Sequence, residues 1–144
     1  MKKILLILLI LLSFSGLALS FAPKRNIVPS DYHLGITYKE AIIQNKPALV
    51  FFYVDWCTYC KKFMSKLKIL NLLYKDKYNI VMINCDDLNS KRLLNDYKIA
   101  IYPTLYIIDY KYNSRIHLDS ENYDDIIFLK RELDRYLNVR KLFK

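Results

Sequence analysis

Two cysteines three positions apart, Cys57 and Cys60, follow directly on the chain's single tryptophan, Trp56. Sulfurs at that spacing can trade a disulfide with a visiting dithiol, bind a soft metal, or close on each other as a structural staple. A structural zinc site wants four nitrogen or sulfur ligands. The chain has three cysteines, the third being Cys85, and its two histidines, His33 and His117, lie far apart with no Cys or carboxylate at zinc spacing. Both histidines therefore read as structural or surface residues, and no metal ligand is assigned. A bridge across three residues closes too small a loop to restrict the unfolded chain much, so as a staple it would add little stability. Disulfide exchange is the chemistry this spacing favours. It requires that one sulfur be held as a reachable thiolate.

The elements on either side of the pair could hold it that way. Residues 48–54 form an apolar run behind the breaker Pro47, which suits a strand buried on both faces. After Cys60 the period changes: Phe63, Leu67, Leu70 and Tyr74 recur at three- and four-residue steps, one face of a helix about four turns long. Cys57 then sits near the helix N-terminus, with Cys60 one turn inside. Unpaired N–H groups and the positive end of the helix dipole favour a thiolate there, and thiols so placed fall from about 8.5 to roughly 3.5–7.5 in pKa.

The remaining chain supplies a frame for that strand and helix. Thr37 and Glu40 make a capping box for a short helix over Ala41, Ile42 and Ile43, which ends before Pro47. Residues 79–85 are the next buried strand. Two parallel strands joined by a helix form a right-handed crossover, so an α/β sheet covered on both faces is expected. Residues 86–90 form a turn, and residues 91–98 a short helix packing through Leu93, Leu94 and Tyr97. Tyr102, Pro103 and Thr104 lead into a strand over 105–108, which pairs as a hairpin with 115–118. Asn122 is expected to cap a last helix whose core face carries Ile126, Leu129, Leu133 and Leu137. No repeat or second domain appears, and residues 31–144 read as one domain.

Residues 1–20 have the form of a signal peptide, with Lys2 and Lys3 ahead of an apolar run and small residues at Ala18 and Ser20. An uncleaved anchor is the alternative, because no charge falls within residues 4–22. Either reading places the domain outside the cytoplasm, in the periplasm, behind a linker over 21–30. The formal charge is +9, of which Lys2 and Lys3 supply two, leaving +7 after the leader. Those charges are scattered, so they describe a solvated basic surface and give no nucleic-acid partner.

The combination of Trp56-Cys57-Thr58-Tyr59-Cys60 after a buried strand, with Tyr102-Pro103-Thr104 about 40 residues later, resembles the thioredoxin family. Residues 46–57 are most similar to exported bacterial thiol-disulfide interchange proteins. The resemblance implies a thioredoxin-like fold, a central mixed β-sheet flanked by helices on both faces. It implies Cys57 and Cys60 as the catalytic pair, and a cis Pro103 facing them. Tyr102 would offer backbone hydrogen bonds to a bound chain, and Trp56 an apolar contact surface, with core packing as the other reading of Trp56. The implied activity is thiol-disulfide exchange without a cofactor on protein disulfides or dithiols, most simply as a reductase supplied by a membrane-bound electron donor. An oxidase or isomerase on the same scaffold, or a non-catalytic metal-binding or binding module, is the alternative. The chain departs from the family pattern at three places. Phe51 stands where a buried acid is common, Thr58-Tyr59 replaces Gly-Pro, and Ser65 replaces a helix proline. Asp55 is accordingly the candidate for proton transfer. Cys85 reads as a small buried hydrophobe or as half of a regulatory disulfide.

Overall fold

The computed structural model describes residues 25–143. Four strands, β1 (Ala48–Tyr53), β2 (Asn79–Asn84), β3 (Thr104–Asp109) and β4 (Ser114–His117), form one sheet in the order β2-β1-β3-β4. The α-helices among the described residues are α1 (Tyr38–Ile42), α2 (Thr58–Tyr74), α3 (Lys91–Asp96) and α4 (Ile126–Lys141). Every residue of β1 is buried, as a strand without charged side chains must be if it is central and covered on both faces. β1 runs parallel to β2, with Phe51 opposite Met82, and antiparallel to β3, with Phe51 opposite Leu105. β4 closes the far edge antiparallel to β3.

Alternation along β1 sends neighbouring aromatics to opposite layers. Phe51 meets Phe63 of α2 at 5.2 Å between ring centroids, whereas Phe52 meets Tyr97, just beyond α3, at 5.3 Å. Tyr38 of α1 joins that second layer edge-on to Tyr97. α4 is fixed to the first layer by two phenols, Tyr74 donating to the Lys130 carbonyl at 3.2 Å and Tyr78 to that of Leu133 at 2.8 Å. The result is the mixed, doubly covered sheet expected from the sequence.

Local differences have physical causes. The Thr37 capping box forms, Glu40 N–H reaching Thr37 Oγ1 at 3.2 Å and Thr37 N–H reaching Glu40 Oε2 at 2.8 Å. The cap of α4 is Asp125, which accepts the Ile127 N–H at 2.8 Å, and not Asn122. Asn122 is taken up by a 3-10 turn, Ser120–Asn122, and its amide donates to Asp119. The β3–β4 hairpin turns without glycine because Asn113 adopts φ 48°, a region asparagine tolerates. Pro29 is buried in a 3-10 turn, Pro29–Tyr32, so the segment read as linker ends inside the fold. The leader lies outside the described residues. Among those described, no helix is long and apolar enough to cross a membrane.

Gly35 matters more than composition suggests. It sits at φ +85°, and an added Cβ would run into the Ile80 carbonyl oxygen. That close approach lets Ile36 N–H donate to Ile80 O at 2.9 Å, tying the chain before α1 to β2.

Candidate active site

β1 ends at Tyr53, and four residues later the chain enters α2 with Cys57 as the N-cap. Its backbone is extended (φ −74°, ψ 114°), and its sulfur accepts the Cys60 N–H at 3.0 Å. The sulfur thus takes the place usually filled by a capping oxygen, satisfying one of the donors a helix start leaves unpaired. Any negative charge on Cys57 Sγ is held by that N–H and by the dipole of a 17-residue helix. Cys57 and Cys60 form a disulfide, with Cα atoms 5.2 Å apart. Cys57 keeps 7% of its surface exposed and Cys60 none. An incoming sulfur on the approach to this bond therefore meets Cys57.

Trp56 is 68% exposed, so it serves as surface and not as core. Its indole N–H donates to Asp86 Oδ2 at 3.0 Å, and its ring lies edge-on to Tyr102 at 6.2 Å. The Tyr102–Pro103 peptide bond is cis, as the resemblance implies. Tyr102 and Pro103 are each half-buried, at the entrance to β3. The structure brings Trp56, Tyr102 and the disulfide to one end of the sheet, with exposed Tyr59 and Ile101 around them.

Asp55 turns elsewhere. Its Oδ1 accepts the Ser30 N–H at 3.0 Å, joining the N-terminal turn to the end of β1. Phe51 is fully buried, stacked on Tyr53 and against Phe63, so an apolar ring fills the layer behind the pair. Cys85 is a free, buried thiol just past β2. Its N–H bonds the Tyr53 carbonyl and its thiol donates to Ile83 O at 3.6 Å. Burial pushes that thiol up to about 11, with the Tyr102 phenol beside it. His33 and His117 are both exposed, His33 after the N-terminal turn and His117 at the end of β4.

Sequence reasoning missed Asp86 and Ser30. Neither has a signal of its own, since each meets its partner, 25 or more residues away, only in the folded chain.

The family model described as Thioredoxin matches residues 32–131. Among curated proteins, the chloroplastic thioredoxin-like protein HCF164 of Arabidopsis thaliana is 32% identical over 74 residues, covering 51% of this chain and 28% of that protein. The thiol:disulfide interchange protein TxlA of Synechococcus elongatus is 38% identical over 50 residues, covering 35% of this chain and 26% of that protein. The matched stretch spans about a quarter of the length of these relatives. Among solved structures, the thioredoxin Deadhead of Drosophila melanogaster superposes with a TM-score of 0.55 at 25% identity, over 66% of this chain and 87% of that one. The oxidised thioredoxin of Plasmodium falciparum gives 0.55 at 21% identity, over 69% and 88%, a likeness of fold.

Proposed function

The chain belongs to the thioredoxin family, and from that premise we propose that it is an exported thiol-disulfide oxidoreductase that reduces protein disulfides through Cys57 and Cys60. One observation carries the reading. The outer sulfur of the pair caps α2, retains exposure, and stands at the end of the sheet that also holds an exposed Trp56 and a cis Pro103.

Exchange takes two steps. In the reduced protein the Cys57 thiolate attacks a substrate disulfide. A bond forms from Cys57 Sγ to one substrate sulfur, and the other substrate sulfur leaves as a thiolate that takes up a proton. Cys60, losing its own proton, then attacks Cys57 Sγ. The Cys57–Cys60 bond forms, the mixed disulfide breaks, and the second substrate sulfur leaves reduced. Two electrons have passed from the pair to the substrate, leaving the oxidised state seen here. A dithiol donor must return them, and for a domain outside the cytoplasm we assign that role to a membrane-bound electron donor. Periplasmic placement rests on the sequence of residues 1–22, and alkaline phosphatase fused after residue 144, active only when exported, tests it.

Trp56 and Tyr102 supply the surface for an extended client, and the half-buried Pro103, which has no N–H, leaves room for the client backbone beside β3. Because Phe51 occupies the layer behind the pair, no carboxylate among the described residues is buried there to receive the Cys60 proton. A proton-transfer role for Asp55 predicts that Asp55→Asn shifts the pH profile of turnover. A positioning role leaves the profile in place, since an amide oxygen also accepts the Ser30 N–H.

The test is reduction of insulin disulfides with dithiothreitol as electron source. The wild-type chain is expected to turn over and Cys57→Ser to lose turnover, whereas an inactive wild type contradicts the reading. The reductase direction further predicts an equilibrium potential nearer about −270 mV than about −120 mV.

A further inference from the structure

Helix α2 has a second face that neither the core nor the redox pair uses. Its buried side carries Cys60, Phe63, Met64, Leu67, Leu70 and Tyr74. At 100° per residue, Ile69, Leu72 and Leu73 fall on the opposite side. They are 48%, 71% and 51% exposed. The same helix contains Lys61, Lys62, Lys66 and Lys68 and no Asp or Glu. Lys66 reaches Asp124 at 3.0 Å, a carboxylate that is itself 92% exposed, and Lys68 lies over the Tyr32 ring at 4.1 Å. Outward apolar residues in a row, bordered by lysines of which only Lys66 has a carboxylate partner among the described residues, mark a docking surface.

We propose that this face, Ile69, Leu72 and Leu73 bordered by Lys62, Lys66 and Lys68, docks on an anionic lipid bilayer. A helix binds an interface in proportion to the apolar area it buries, with a further contribution from basic residues drawn to anionic lipid. The path of the chain points the same way. The turn Pro29–Tyr32 lies beside α2 through the Lys68–Tyr32 contact. Seven residues earlier, at Ala22, the uncharged apolar run of residues 4–22 ends. Seven extended residues reach at most roughly 25 Å. A run of that kind lodged in a bilayer holds α2 within reach of the lipid surface. A second copy fits less well, because a two-fold contact through this face brings together two helices that each carry four lysines and no acid. Docked along α2, the domain presents Cys57, at the start of that helix, along the lipid plane.

The inference does not depend on the redox reading, and its readout is not activity. Full-length protein is reconstituted into vesicles of phosphatidylcholine alone or mixed with phosphatidylglycerol, and side chains are labelled by hydroxyl radicals. Any insertion of residues 4–22 is common to both membranes, so the comparison isolates the charge-dependent contact. Labelling of Leu72 and Ile69 is expected to fall about fivefold in the anionic vesicles, the effect of roughly one lysine at such a surface, and to recover in high salt. Ile43, 83% exposed at the end of α1 on the other face of the sheet, serves as the internal control and stays unchanged. Lys62→Gln with Leu72→Ser is expected to abolish the protection of Ile69. Equal labelling in both lipids overturns the proposal. Protection that appears without vesicles and grows with protein concentration also overturns it, assigning the face to a second copy.

Discussion

At Cys57 a single sulfur accepts the Cys60 N–H and remains the one part of the pair that solvent reaches, and these two facts separate the chain's thiols chemically. The helix start favours the Cys57 thiolate. Burial acts oppositely on Cys85, raising its thiol above the ordinary thiol range to about 11. With the protein reduced, iodoacetamide is therefore expected to modify Cys57 at neutral pH and to leave Cys85 untouched until the pH approaches 11, as peptide mass mapping would show. Modification of Cys85 at neutral pH contradicts that ordering. Phe51 makes a second prediction at this scale. It is fully buried between Tyr53 and Phe63, so Phe51→Ala is expected to cost about 3–5 kcal/mol in urea unfolding.

Among elements, the attachments that position β1 and α2 are few and identifiable. Asp109, at the end of β3 and 1% exposed, pairs with Arg140 near the end of α4 at 2.5 Å, and Arg140 also donates to the Asn45 carbonyl just before β1. Asp109→Ala leaves a guanidinium that is 11% exposed without its partner. The expected loss is about 3–5 kcal/mol in urea unfolding. Gly35→Ala is expected to destabilise by at least about 1–3 kcal/mol from its backbone conformation alone, before the collision with Ile80 O is counted. The contrast in legibility lies here too. β1 and α2 announce themselves because an unbroken apolar run and a helical period are local properties of the sequence. The Thr37 box is also local, and it forms. Gly35 gives no such warning, since its need for a bare Cα comes from β2, 45 residues away. For the same reason the Trp56–Asp86 bond could not be read from either residue. Asn122 and Asp125 are both good caps, and only the folded turn before α4 decides between them.

For the whole molecule, burial leaves a pH signature. The Cys85 thiol is pushed up to about 11, and desolvation raises Tyr74, Tyr123 and Tyr136 from 10.0 to about 12. The folded chain keeps these protons at pH values where the unfolded chain releases them. Stability from these groups is therefore complete below about pH 9 and is lost as the pH rises through 11 and 12. Thermal melting is expected to hold level from pH 7 to 9 and then fall, and a melting temperature that rises above pH 9 contradicts this. The fold itself was legible because β1 could only be central and Cys57 could only follow it. What the sequence did not disclose was the surface around the pair, which is assembled from β2, β3 and α2 together. The most direct measurement of the account is the mass of Cys60→Ser, reduced and then mixed with a peptide disulfide. A stable adduct of one peptide per chain, mapped to Cys57, is predicted, whereas no adduct, or one on Cys85, would contradict Cys57 as the sulfur that exchanges.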